Sequence, residues 1–217
     1  LKEIKKSKFV KPDQPTYDIY KTQLNYPSLE VSSSISLSGK FSNEYQEGPA
    51  IVTEDQQTVY FTRSNNLDAD DDVLYLSLYS VSSGMLDQQD SIIPFSINND
   101  HYSVMHPTIS NDGKKIFFSS DMPGGFGGLD LYYCDILGIQ EKKVKGKLEK
   151  INKLSDPINL GNKINTEGNE VFPYFMNDNI LFYSSDGRIG LGGLDIFMVN
   201  NYMDTSLLEI DLSLIHI

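Results

Sequence analysis

The sequence contains one glycine-rich phrase twice, and this repetition constrains the fold more than any other feature. Residues 119–133 read SSDMPGGFGGLDLYY, and residues 184–198 read SSDGRIGLGGLDIFM. A phosphate-binding loop needs to occur only once, and it is followed by a helix that carries a Lys near its start. Here the strand-like runs LDLYY and LDIFM follow instead. The phrase is therefore predicted to be a strand-to-strand turn of a repeated β unit.

Three copies of a longer unit can be aligned on a proline. They read EGPAIVTEDQQTVYFTRS from residue 47, MHPTISNDGKKIFFSSD from residue 105 and VFPYFMNDNILFYSSD from residue 171. A partial copy, TYDIY at 16–20, brings Asp18 into register with Asp130 and Asp195. We therefore predict that residues 1–211 form one repeat domain, with a partial unit at 1–46 and full units from about 47, 105 and 171.

The units have the composition of β-strands. The runs TVYFT, KIFFSS and ILFYSS are dense in β-branched and aromatic residues and are bounded by Asn, Asp and Gly. Their apolar residues are consecutive, which is typical of strands covered on both faces. Radially repeated four-stranded sheets form a β-propeller. We predict an all-β partial propeller of about three four-stranded blades plus a partial N-terminal blade; a β-sandwich would not explain a loop that recurs in fixed register.

The repeated phrase predicts structural roles for its residues. Asp121 and Asp186, at the end of the second strand, are expected to accept hydrogen bonds from the amides of the glycine-rich loop. Asp130 and Asp195 open the third strand. The glycines are expected to let the loop turn tightly and pack against the next blade; they include Gly127, Gly128, Gly192 and Gly193.

Composition excludes several classes of function. Eighteen Lys and Arg stand against 30 Asp and Glu, a net charge of −12 that disfavours nucleic acids and anionic membranes. No apolar run approaches the roughly 20 residues that span a bilayer, so direct membrane insertion is not expected. Cys134 lies in an apolar run and is expected to be a buried hydrophobe. The sequence has three His and no G-x-S-x-G, so no catalytic residue, cofactor or metal is expected.

Three segments have two interpretations each. The acidic residues at 68–72 (Asp68, Asp70, Asp71 and Asp72) belong to a solvated loop or to a calcium site, although the spacing of a helix-loop-helix calcium site is absent. The lysine-rich segment 141–153 is a solvated outer hairpin or short helix, or it is a docking patch for an acidic partner. The end LSLIHI, residues 212–217, resembles a translated sequencing adapter rather than native sequence, and the alternative is a natural strand.

The repeats resemble a known family. HPTISNDGKKIFFSSDMPGGFGGLDLYY, followed by PINLGNKINTEGNEVFPYFMNDNILFYSSDGRIGLGGLDIF, resembles the TolB-like propeller repeats of periplasmic OmpA-family proteins, some of which are similar to type IX secretion and gliding scaffolds. The resemblance implies a periplasmic, outer-membrane-associated location and other cell-envelope proteins as partners. It implies peptidoglycan binding only through a domain outside these residues.

The predicted function is that of a non-enzymatic interaction scaffold in such a protein. Propellers bind partners where loops converge on the axis, which points to a face made of Glu47, His106 and Glu170 with Tyr45, Tyr102 and Phe172 beside them. The same residues could instead pack and cap the blades. The alternative function is the propeller of a secreted or periplasmic hydrolase, either a peptidase or a glycosidase that uses Glu47 and Glu170 as its two carboxylates.

Overall fold

The chain folds into several antiparallel sheets. The computed structural model describes residues 47–64, 75–82, 92–144, 146–177 and 180–200, with five further strand segments described by their backbone. Four of these segments are short and lie near the start. They form two separate pairs, β1 (Tyr20–Lys21) with β4 (Ile35–Ser36) and β2 (Leu24–Asn25) with β3 (Glu30–Val31). Asp18, Tyr45 and the acidic loop at 68–72 lie outside the described residues.

Three larger sheets follow, and we call them blades 1, 2 and 3. Blade 1 has the order β5 (Glu47–Val52), β6 (Thr58–Ser64), β7 (Leu76–Ser82), β8 (Ile93–Pro94). Blade 2 consists of β9 (Val104–Ile109), β10 (Lys115–Ser120), β11 (Asp130–Val144) and β12 (Lys147–Leu154), and β13 (Ile158–Asn159) also pairs with β11. Blade 3 has the order β14 (Glu170–Asn177), β15 (Ile180–Ser185), β16 (Asp195–Asn200), β17 (Glu209–Leu212).

The blades are arranged radially. The first strand of blade 2 contacts the first strands of both neighbours, so these strands lie closest to a common axis. Two hydrophobic clusters fill the spaces between successive sheets. One joins blades 1 and 2 and contains Leu78, Phe95, Ile116, Phe118 and Cys134; the other joins blades 2 and 3 and contains Phe117, Leu131, Leu181, Tyr183 and Phe197. Each sheet between two others is thus covered on both faces, as in a propeller.

This arrangement explains the consecutive apolar residues of the central strands. In β10, Ile116 and Phe118 pack toward blade 1, whereas Phe117 between them packs toward blade 3, and all three are fully buried. The all-β class and the partial propeller are therefore confirmed. All regular structure among the described residues is strand, and the same residues include no helix long and apolar enough to cross a membrane. Cys134 is buried, and desolvation raises the pKa of its thiol to about 12.

Strand pairing corrects the alignment of the first repeat by one residue. Glu47, Val104 and Glu170 stand opposite equivalent residues of the second strands. Pro49 therefore lies in register with His106 and Phe172 rather than with Pro107 and Pro173. The proline was a misleading anchor, because each first strand has a register shift close to it. The lysine-rich segment forms an exposed hairpin between β11 and β12, as its composition predicts.

Candidate functional site

The repeated phrase is a loop held by the aspartate that opens the third strand. The Asp130 carboxylate accepts hydrogen bonds from the N–H groups of Phe126 (2.6 Å) and Gly127 (3.2 Å). Asp195 accepts the equivalent bonds from Leu191 (2.8 Å) and Gly192 (3.2 Å). The loop-holding role that the sequence assigned to Asp121 and Asp186 belongs to these aspartates. In both blades the carboxylate that opens the third strand therefore holds the glycine-rich loop.

Asp121 and Asp186 tie the end of the second strand to the start of the first. Asp121 accepts a bond of 2.7 Å from the N–H of Ser103, which directly precedes β9. Asp186 accepts bonds from the N–H (2.6 Å) and the side-chain amide (2.9 Å) of Asn169, which directly precedes β14. The side-chain bond from Asn169 is the largest cause that lowers the pKa of Asp186. Both aspartates therefore support the connections between blades.

Glu47 and Glu170, predicted to face a partner, are buried at the first position of their inner strands. Glu47 forms an ion pair with Arg63, whose Nη2 lies 2.5 Å from Oε1. Glu170 accepts bonds from the N–H (2.8 Å) and hydroxyl (2.6 Å) of Thr166 and from the hydroxyl of Ser185 (2.6 Å). The contacts are those of capping groups, the alternative that the sequence left open. The partner-binding role of both residues stays a prediction.

His106 and Phe172, equivalent residues of adjacent blades, do lie together. Their rings stack with centroids 3.9 Å apart, and both residues have a positive φ, of 55° and 53°. The N–H of His106 donates to the hydroxyl of Thr62 in blade 1 (2.9 Å), so His106 links all three blades. Desolvation lowers the pKa of the imidazole from 6.5 to about 4. Positive φ at non-glycine residues is costly and marks a position that the surrounding structure holds in place.

Tyr102 does not belong to this group. It packs against the cluster between blades 1 and 2, and its hydroxyl lies 3.4 Å from the carbonyl oxygen of Ile97. Tyr45 lies outside the described residues, so its place in the predicted face is untested. Of the six residues predicted for a partner face, the structure brings His106 and Phe172 together and places Glu47 and Glu170 in capping contacts.

An open cavity of 940 Å³ lies at one end of the three first strands. Equivalent positions of the three blades line it: Ile51, Thr108 and Tyr174 share one register, and Val52, Ile109 and Phe175 share another. Val52, Tyr174 and Met176 expose 48%, 54% and 64% of their surface. This is the geometry of a propeller axis, where one side chain from each blade meets the others.

Two repeated turns form the acidic part of the rim. The hydroxyl of Thr53 donates to Asp55 (2.6 Å), and the hydroxyl of Ser110 donates to Asp112 (2.7 Å). These bonds are the largest causes that lower the pKa values of the two carboxyls, so both are ionised at neutral pH. Glu54 lines the cavity beside them. Sequence reasoning missed this site, although the spacing of Thr53 to Asp55 and of Ser110 to Asp112 was a readable signal.

The described residues contain no group of three His, Cys, Asp or Glu side chains that could hold a metal ion. The cavity instead combines carboxylates with exposed aromatic and thioether side chains. Such a surface can bind cationic and apolar groups, because carboxylates attract the charge and aromatic faces stabilise it further. Lys114 lies 3.5 Å from Asp112 across an exposed ion pair and offsets part of that charge.

No protein-family model matches the sequence, and no curated protein matches it. Solved structures do match. A puromycin-hydrolysing peptidase of Mycobacterium tuberculosis is 11% identical with a TM-score of 0.50, over 87% of this chain and 28% of that one. Puromycin hydrolase is 12% identical with a TM-score of 0.52, over 84% of this chain and 25% of that one. The tricorn protease is 7% identical with a TM-score of 0.50, over 88% of this chain and 20% of that one. The fold is that of a β-propeller.

This propeller spans between 20% and 28% of the length of those three proteins. At such low identity the likeness shows the fold alone. The neighbours are nevertheless propeller domains of peptidases, and they overturn the prediction of a non-enzymatic scaffold of an OmpA-family protein. They fit the alternative that the sequence left open, a propeller attached to a hydrolase.

Proposed function

We propose that the chain is the propeller region of a hydrolase of the peptidase class and that its axial cavity receives peptide. The cavity is the observation that carries the proposal. Equivalent positions of three blades build it, and exposed apolar side chains lie on a wall that also carries carboxylates. The fold likeness to peptidase propellers supports the choice of enzyme class by analogy.

The chemistry of the wall favours peptides with a positive charge. Glu54, Asp55 and Asp112 line the cavity, and none of its described lining residues is Lys or Arg. The net charge of the chain, −12, adds an attractive field for a cation. Tyr174 and Met176 offer an aromatic face and a polarisable thioether to the flanking side chains of the peptide.

A glycosidase is the less supported hydrolase. That interpretation paired Glu47 with Glu170, and two carboxylates of this kind must flank an accessible sugar. In the structure both residues are buried and engaged with neighbouring side chains, and neither lines the cavity. The carboxylates at the cavity belong to exposed turns, where they accept hydrogen bonds from their own hairpin.

The test is peptidase activity of the complete protein that contains this propeller. Chromogenic peptides with a Lys or Arg side chain should be cleaved with a lower KM than matched Glu peptides. The substitutions Tyr174→Ala and Met176→Ala remove two exposed side chains of the cavity wall. They should raise KM for the basic peptides several-fold while kcat changes little, because the propeller binds substrate and does not react with it. Leu148→Ala is the control, since Leu148 is also an exposed apolar residue but lies on the outer hairpin.

Two results would count against the proposal. An absence of activity on any peptide would remove the peptidase assignment. Activity with the same KM in the wall variants and the control would keep the enzyme class and remove the role of the cavity.

The resemblance to TolB-like repeats supports a periplasmic location as part of the same proposal. Fractionation of the native host, with an antibody against this chain, tests it. Recovery in the cytoplasm would contradict it. The expected cell-envelope partners stay predictions.

A further inference from the structure

Each described connection between blades carries an asparagine that clamps the third strand of the preceding blade. Asn98 accepts from the N–H of Leu78 (2.9 Å) and donates to its carbonyl oxygen (2.6 Å). Asn165 likewise accepts from the N–H of Leu131 (2.8 Å) and donates to its carbonyl oxygen (3.0 Å). Strand pairing shows that Leu78 and Leu131 are equivalent residues. The clamp is therefore a repeated device.

An apolar residue a few positions before the asparagine completes the clamp. The N–H of Phe95 donates to the carbonyl oxygen of Leu78 (3.2 Å), and the N–H of Leu160 donates to that of Leu131 (3.0 Å). Both side chains are buried in the clusters between blades. The connection thus binds the strand edge by backbone bonds and fills the adjacent apolar space with one side chain.

After its asparagine, the second connection covers the glycine-rich loop of blade 2. Gly128 donates to the carbonyl oxygen of Gly168 (2.8 Å), and the N–H of Leu129 donates to the side chain of Asn169 (3.1 Å). The approach is very close at Gly127, where an added Cβ would lie 2.3 Å from the carbonyl oxygen of Thr166. Only glycine fits beneath this segment.

Blade 3 has the equivalent strand and loop without a described occupant. Ile196 is the equivalent of Leu131, and among the described residues no asparagine bonds to its backbone. Within that same part of the chain nothing lies within 4 Å of a Cβ added at Gly192 or Gly193. Leu191 and Leu194, in the same loop, expose 67% and 49% of their surface. The edge of the strand and the loop beside it are both uncovered by described residues.

We propose that Ile196 and the loop at 190–194 form a docking site for an extended segment of the kind found at 157–170. Its defining chemistry is an apolar residue, then an asparagine three to five positions later, as in Phe95 to Asn98 and Leu160 to Asn165. The occupant is a connection between repeat units, because the two equivalent edges, at Leu78 and Leu131, hold connections of that kind. This inference is independent of the hydrolase proposal.

The test supplies the occupant on the chain itself. The 217-residue protein is extended by a flexible Gly/Ser linker and a second copy of PINLGNKINTEGNE, residues 157–170. Tethering gives a local concentration on the order of millimolar, enough to detect a weak site. Amide exchange measured by NMR should show slower exchange at Ile196 and at 191–194, and no change at Leu131. The matched control carries Asn165→Ala in the appended copy alone, so the folded body is identical.

The expected result is at least a fivefold slowing of exchange at Ile196 that the Asn165→Ala copy largely loses. Equal slowing with both copies would overturn the proposal, since the asparagine would then play no part. Slower exchange at Leu131 would overturn it too, because the added segment would have displaced the native one. If the unextended chain already protects Ile196 in a concentration-dependent way, a second copy is the occupant and the proposal is wrong.

Discussion

Lowering the pH should destabilise the chain through His106. Its imidazole is packed against Phe172, and its Nδ1 has no hydrogen-bond partner within the described residues. Burial lowers the pKa of this imidazole from 6.5 to about 4, so the folded state holds it neutral. The unfolded state binds the proton more readily. The stabilisation is therefore complete above pH 6.5 and is lost as the pH falls through the interval down to about 4.

The magnitude follows from the two pKa values. Each unit of difference corresponds to about 1.4 kcal/mol, which limits the total loss to about 3 kcal/mol. Between about pH 7 and about pH 5 the same linkage predicts a loss of about 2 kcal/mol in the free energy of unfolding. Urea unfolding followed by circular dichroism at several pH values measures it, and tyrosine fluorescence gives a second probe because the chain has 13 Tyr and no Trp.

The comparison with His106→Gln tests whether the imidazole causes this loss of stability at low pH. Carboxylates titrate in the same interval in both proteins, so the difference between the two pH profiles isolates the imidazole. The variant should be less stable near neutral pH through lost packing, and its profile should be flatter by about 2 kcal/mol over that interval. His101→Gln, at an exposed position, should keep the slope of the parent chain. Parallel profiles for the parent and His106→Gln would refute the reasoning.

Three further comparisons test the repeat geometry by urea unfolding. Gln56→Gly should stabilise the chain by about 0.5–1 kcal/mol, because Gln56 has φ 57° where the equivalent residue of blade 2 is Gly113; a loss would contradict this. Gly127→Ala should lower the free energy of unfolding by more than about 2 kcal/mol, because the added Cβ clashes with a backbone carbonyl. Gly48→Ala, whose Cβ would lie 3.3 Å from Thr62, should lower it less, and equal losses would argue against the close approach at Gly127. Glu47→Gln should cost about 3 kcal/mol by leaving the Arg63 charge buried, and the double change with Arg63→Met should cost less than the sum of the two single changes; additive costs would show that the pair is not coupled.

The sequence was sufficient for the fold because repetition and strand composition both point to it. Ile116, Phe117 and Phe118 are consecutive apolar residues, and only a strand covered on both faces buries all three. The glycine-rich loops recur in register because each belongs to one copy of the repeat. Both signals can be read directly from a single sequence.

The site could not be predicted to the same degree, because register depends on bulges that the sequence hides. Aligning on proline placed Glu47 level with Met105 and Val171, although pairing puts it level with Val104 and Glu170. A shift of one residue exchanges the two faces of a strand. The corrected register places the two buried capping glutamates, Glu47 and Glu170, at equivalent positions. The cavity residues followed from the correct register, and only the spacing of Thr53 to Asp55 and of Ser110 to Asp112 marked them in the sequence.

The two copies of the glycine-rich phrase also show why equal sequence does not imply equal cause. Gly127 has an ordinary backbone conformation and is glycine because Thr166 lies against it, whereas Gly192 has φ 125° and no described neighbour within 4 Å of an added Cβ. One copy needs glycine for space and the other for conformation. A loop that is shaped by its covering segment in one blade can relax where the described chain leaves it uncovered. We therefore expect that covering that loop would bring the backbone of Gly192 toward the conformation at Gly127.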